Sequence, residues 1–195
     1  MTVALVLDFP GGTMSQYHQT VERMHLDGRM AAGGRLHFAG AYGGGLRVID
    51  VWEDMESLMR FRDEQIIPVT QAVGLAAPEV RVLDVANERE GNGRDPALVQ
   101  YVILPGFDRA AFEEADRKIL STGEPPDAIT FHVNGPVDEG WCVIDGWTSK
   151  EARDEFLENN VRPILGNVPL PSPPVFEDLI VESVLREGAP AHAAS

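Results

Sequence analysis

Residues 3–68 recur at 98–163, displaced by 95 positions without a gap. Thirteen of the 66 aligned pairs are identical, where average residue frequencies would give about four. The shared residues are Pro10/Pro105, Gly11/Gly106, Gly28/Gly123, His37/His132, Gly40/Gly135, Gly45/Gly140, Val48/Val143, Ile49/Ile144, Asp50/Asp145, Trp52/Trp147, Glu56/Glu151, Phe61/Phe156 and Pro68/Pro163. A period of this length is too long for a solenoid unit and suits a small domain. The chain therefore reads as two copies of one domain, an intramolecular pseudo-dimer that leaves room for a further homodimer. Each copy alone would bury only about 60% of its unfolded surface, so packing one copy on the other would relieve two marginal cores.

Each copy reads as strand, helix, strand, strand, helix, strand. Val3–Phe9 and Leu98–Leu104 are the first strands, each closed by Pro-Gly. Thr13-x-x-Gln16 forms a capping box before Tyr17, Val21 and Met24, which share one helix face. Phe112, Ala115 and Ile119 do the same in the second copy. A hairpin follows, Arg35–Ala41 with Leu46–Trp52, mirrored by Thr130–Gly135 with Trp141–Trp147. Asp54 and Ser149 cap the second helix. Val80–Val85 and Val175–Val184 read as the last strands. The order βαββαβ is ferredoxin-like, α+β, with an antiparallel sheet and both helices on one face. The expected layout is a first repeat over 1–87, a polar linker over 88–97, a second repeat over 98–187 and a disordered tail over 188–195.

A four-residue turn at 42–45 sets Ala41 opposite Leu46, and counting outward sets His37 opposite Asp50. The turn at 137–140 sets His132 opposite Asp145 in the same way. Cross-strand partners have Cβ atoms about 5 Å apart. A carboxylate there orients the imidazole and fixes its tautomer, as a general base requires. Alternation puts His37 on one face with Val48, Asp50 and Trp52. It puts His132 with Asn134, Val143, Asp145, Trp147 and Trp141. Leu36, Phe38, Ile49 and Val51 would then form the helix-packed core, with Cys142 as inert packing in the second copy. The His-bearing face would be left bare. Two such faces closing on each other make an α/β barrel whose interior holds His, Asp and Trp. The competing reading is structural: a His–Asp pair can simply hold hairpin register. Tyr101 and Asn134, opposite Val6 and Ala39 of the first copy, make the second cavity more polar. His18, His25 and His192 have no partner in the repeat pattern.

The net charge of −15 disfavours nucleic acid and anionic membrane surfaces. No 18-residue apolar run or signal-peptide pattern is present, so a cytoplasmic location is expected. The single cysteine excludes an internal disulfide, and no metal-ligand spacing occurs.

The stretches FPGG, LHFAGAYGGGLRVIDVWED and FHVNGPVDEGWCVIDGWTSKEARDEFLENNVRPIL resemble the dimeric α/β-barrel superfamily, nearest its small antibiotic-biosynthesis-monooxygenase-like branch. The resemblance covers most of both copies. It implies the barrel and one of several activities: cofactor-free oxygenation of polyketide anthrones, lactone isomerisation, cyclisation or haem degradation. The expectation drawn here is a cofactor-free enzyme, most directly a monooxygenase, acting on an aromatic or polyketide-like molecule. Its catalytic pairs are His132–Asp145 and His37–Asp50. Trp147, Trp52, Trp141, Asn134, Tyr101, Val143 and Val48 contact the ligand. An isomerase or cyclase, a haem-binding barrel with an axial histidine, and a non-catalytic binding module are the alternatives.

Overall fold

The computed structural model describes residues 1–123, 126–166 and 168–187; the expected tail, with His192, lies outside them. Two compact units emerge. One is formed by Met1–Val82 with the segment from Val181 onward, the other by Leu83–Ile180. Each holds one βαββαβ repeat and one five-stranded antiparallel sheet.

In the first unit β1 (Val3–Phe9) leads to α1 (Met14–Arg23), then to the hairpin β2 (Gly34–Tyr42) and β3 (Gly45–Trp52). Helix α2 (Met55–Phe61) runs through a π-helical turn, Arg62–Ile66, into α3 (Ile67–Ala72), and β4 (Glu79–Asp84) follows. The capping box at Thr13 is formed in both directions, and Asp54 caps α2 by accepting from the Ser57 amide at 2.7 Å. These caps satisfy amides that the first helical turn leaves open.

The second unit repeats the plan with β6 (Leu98–Pro105), α4 (Arg109–Ser121), β7 (Ile129–Val137), β8 (Gly140–Trp147), α5 (Lys150–Phe156), α6 (Arg162–Leu165) and β9 (Val175–Ile180). A π-helical turn, Leu157–Val161, again sits between α5 and α6. Asp108 and Ser149 cap α4 and α5.

Two short strands complete the sheets. Asn87–Glu90 (β5), which overlaps the start of the stretch that reads as a linker, pairs with β7. Ser183–Arg186 (β10), which reads as one strand with Val175–Ile180, is separate and pairs with β2. The sheet orders are β10-β2-β3-β1-β4 and β5-β7-β8-β6-β9. Each sheet thus draws its fifth strand from the far end of the other repeat's sequence. NERE conceals its strand because an edge strand with solvent on its sides carries no apolar alternation.

The hairpins have the anticipated register, His37 opposite Asp50 and His132 opposite Asp145. The face they occupy differs from the expectation. Tyr17 of α1 packs on His37, and Phe61 of α2 packs on Trp52. Phe112 of α4 stacks on Trp141, and Phe156 of α5 packs on Trp147. The histidines therefore lie between sheet and helices within each unit. Phe38, Ile49 and Val51 occupy the opposite face and are buried as well. Alternation separates two faces but cannot say which one the helices cover when both are apolar.

Candidate functional site

In the second unit, His132 is 7% exposed and its Nδ1 lies 2.7 Å from Asp145 Oδ1. Its Nε2 meets two donors, the Asn134 amide at 2.8 Å and the Arg89 guanidinium at 3.1 Å. The direction of the Asn134 contact follows from its other end, where its carbonyl oxygen accepts from Trp141 Nε1 at 3.1 Å. A guanidinium has no acceptor. The ring proton therefore sits on Nδ1 and is donated to Asp145, and the Nε2 lone pair accepts. Arg89 is held in turn by Asp116 of α4 at 2.9 Å.

Register extends this group into a row. Arg89 on β5 faces His132 on β7, His132 faces Asp145 on β8, Asp145 faces Gln100 on β6, and Gln100 faces Asp178 on β9. Five neighbouring strands thus each place one polar residue at the same level. Gln100 Nε2 donates to Asp178 at 3.4 Å, and Arg153 of α5 grips Asp178 through two hydrogen bonds of 2.7 and 2.9 Å. Arg153 is 5% exposed. Burial alone would lower its pKa, but Asp178 and Asp154 outweigh burial and hold the guanidinium above its ordinary value.

Over this row lies a cavity of about 970 Å³. His132, Asp145, Gln100, Trp147 and Val143 form part of its floor, and Phe112 and Leu120 of α4 part of its wall. Trp147 is fully buried and its indole N–H has no hydrogen-bond partner.

The first unit builds the same pair differently. His37 Nδ1 lies 2.6 Å from Asp50 Oδ1, but its Nε2 is met at 2.8 Å by the hydroxyl of Tyr17, which also bonds Ser183 Oγ at 2.9 Å. The two rings stack with centroids 5.6 Å apart. Burial raises the Tyr17 hydroxyl to about 12, with Ser183 opposing the rise and Asp50 adding to it. Only about 70 Å³ of space remains beside His37, Asp50, Val48 and Trp52, with otherwise largely apolar walls.

Of the expected ligand contacts, Asn134 and Trp141 are drawn into the His132 network. Tyr101 is not on this face: Gln100 and Val102 point to the cavity, and alternation puts Tyr101 on the other side of the sheet. The network residues that the sequence reading passed over are Arg89, Gln100, Asp116, Arg153 and Asp178. Three of their five sister positions could have marked them, since Leu5, Val21 and Leu58 stand where Gln100, Asp116 and Arg153 stand.

Both imidazole Nε2 atoms are engaged within their own units. Among the described residues no cluster of three or more His, Cys, Asp or Glu side chains is arranged to hold a metal ion, and no helix is long and apolar enough to cross a membrane.

No protein-family model matches this chain, and no curated protein matches it by sequence. Solved structures do share its fold. A "putative monooxygenase" of Fusobacterium nucleatum matches with a TM-score of 0.74 at 14% identity, over 96% of this chain and 95% of that one. A "putative monooxygenase" of Lactobacillus acidophilus matches with a TM-score of 0.67, also at 14% identity, over 96% and 97%. An anthrone oxidase-like protein matches with a TM-score of 0.52 at 16% identity, over 100% and 97%. At such identities the likeness is one of fold.

Proposed function

We propose that the chain is an enzyme acting on an aromatic or polyketide-like small molecule, most directly a cofactor-independent monooxygenase, with His132 as its base. One observation carries this reading: an Asp-oriented imidazole whose Nε2 is an acceptor lines a cavity of about 970 Å³, and the guanidinium that donates to that nitrogen lines it too. Two of the fold neighbours bear the name monooxygenase and a third is anthrone oxidase-like, which supports the choice of chemistry.

The substrate is an aromatic ketone with an acidic CH₂ next to the conjugated system. His132 Nε2 takes one proton from that carbon, and Asp145 stabilises the imidazolium. Negative charge moves to the ketone oxygen, where the Arg89 guanidinium, displaced from Nε2 but tethered by Asp116, receives it. The carbanion passes electrons to dioxygen and forms a C–O bond. The peroxide takes the proton from His132 and loses water, so CH₂ and O₂ become C=O and H₂O.

The test uses 1,8-dihydroxy-9-anthrone in air, with oxygen uptake and quinone absorbance read against the buffer rate. The expected result is one O₂ consumed per quinone formed, with the rate falling roughly 100-fold or more in His132→Ala. Equal rates in the two folded proteins would overturn the assignment of the base. Solvent deuterium entering the acidic carbon without oxygen uptake would assign the same base to an isomerase or cyclase.

A further inference from the structure

The duplication supplies an internal control, because one fold is built twice with different residues at matching positions. Four of the polar residues around His132 replace apolar ones at the 95-residue displacement: Gln100 for Leu5, Asp116 for Val21, Asn134 for Ala39 and Arg153 for Leu58. A fifth, Arg89, takes the position across from the histidine that Leu185 holds in the first unit. The fold is therefore met by leucine, valine and alanine at these places. Burying guanidinium, carboxylate and amide there costs desolvation that the first unit does not bear. The reverse exchange also holds. Tyr17, whose hydroxyl closes on His37 Nε2, becomes Phe112, which has nothing to close with.

We infer that the chain has a single working site, in the second unit, recognising a neutral, elongated ligand with oxygen functions toward both ends, and that the His37–Asp50 site is a closed structural copy. The ligand class rests on the chemistry proposed above; the asymmetry between the units does not. The polar row gives the length. Neighbouring strands are about 4.8 Å apart, so three steps from His132 to Asp178 span roughly 14 Å, the reach of three or four fused rings with their substituents. The lining gives the charge. Six carboxylates face three guanidinium groups around the cavity, which disfavours an anionic ligand. Gln100 and Arg153 are then specificity-determining residues at the end of the cavity remote from the base. Trp147 borders the cavity of about 970 Å³, whereas its sister Trp52 borders only about 70 Å³.

The experiment titrates the full chain with 1,8-dihydroxyanthraquinone at mildly acidic pH, where the probe is neutral, by calorimetry and native mass spectrometry. One probe per chain is expected. The double replacement Gln100→Leu with Arg153→Leu, which installs the first unit's residues, should keep the wild-type unfolding transition and weaken binding about ten-fold or more. Tyr17→Phe should leave stoichiometry and affinity unchanged. Two probes per chain, or wild-type affinity in the folded double variant, would overturn the inference. Failure of the probe to bind at all refutes the ligand class. A second measurement then decides the asymmetry: acrylamide quenching of Trp52→Phe, whose emission comes from the second unit, against Trp141→Phe with Trp147→Phe, whose emission comes from the first. Several-fold stronger quenching in Trp52→Phe is expected, and equal quenching overturns a closed first site.

Discussion

Replacing Tyr17 by phenylalanine should weaken the fold at neutral pH and relieve it of a sensitivity to alkali. Tyr17 is 4% exposed, and its hydroxyl makes hydrogen bonds of 2.8 Å to His37 Nε2 and 2.9 Å to Ser183 Oγ. At about 1 kcal/mol net for each bond, the variant should lose about 2 kcal/mol near pH 7. Alkali reverses the comparison. Burial holds the folded-state pKa at about 12, above the ordinary 10.0. A raised pKa means that the folded state prefers the neutral phenol. The stabilisation is therefore intact below the unfolded value and is lost as pH climbs from there through the folded one. Midway, near about pH 11, the wild type should have lost about 1.4 kcal/mol through this group, one pKa unit's worth, and the variant nothing. The deficit of the variant should thus shrink from about 2 to about 0.6 kcal/mol over that interval. Urea unfolding of both proteins at stepped pH, followed by near-ultraviolet circular dichroism, measures it. A constant stability difference from neutrality to about pH 11 would refute the buried hydroxyl, and with it the account of why the first site is closed.

Asp145→Asn should keep the cavity and cut the oxidation rate roughly 100-fold or more, since an amide neither holds the Nδ1 proton in place nor stabilises an imidazolium; an unchanged initial rate would argue against the pair. Asp8 is hydrogen-bonded to Arg47 at 2.6 and 2.8 Å and to Arg81 at 3.1 Å. Burial alone would raise its carboxyl, but the two guanidinium groups outweigh burial and hold it below the usual carboxylate range. A depressed pKa stabilises above the unfolded value of about 3.9 and is lost as pH falls through the folded one, so Asp8→Asn should be less stable at neutral pH and flatter in an acid-unfolding series. At Gly146 a Cβ would stand 2.3 Å from Thr130 Oγ1 and 2.4 Å from two ring carbons of Phe131. Gly146→Ala should therefore cost about 1–3 kcal/mol, read as a lowered melting temperature, although the sister position holds Val51.

The fold was legible because the sequence states it twice. A capping residue or turn that is ambiguous once becomes secure when its counterpart lies 95 residues away, as at Asp54 and Ser149 or at the two hairpins. Hairpin register followed from turn length, and with it both His–Asp pairs. The face did not follow, because period-2 alternation is symmetric: Phe38 and Ile49 on one side of β2 and β3 are as apolar as Val48 and Trp52 on the other. What breaks the symmetry is where the helices dock, and that depends on loop geometry that the residue pattern does not encode. Tyr101 was misplaced for another reason: no turn joins β6 to β8, so turn length leaves their register open, and the ladder sets Gln100, one residue out of phase with Tyr101, opposite Asp145.

Arg89 was hidden for a different reason. It enters through the fifth strand, which reaches its sheet from the far side of the repeat boundary, and its counterpart Leu185 lies 96 rather than 95 positions on. Aligning the two copies at a fixed displacement cannot pair these residues, while the ladders pair each directly with its histidine. The consequence is chemical as well as topological. The strands that complete the sheets are the ones that approach the Nε2 side of the pair, so they decide what that nitrogen meets. In the first unit β10 brings Ser183 to hold the Tyr17 hydroxyl against the ring. In the second, β5 brings a guanidinium whose side chain is 32% exposed and tied to Asp116. A buried tyrosine gripped from two sides is a fixed stopper. A partly exposed arginine on a single tether can be displaced from Nε2 by a substrate and remain within reach of the charge that proton removal creates.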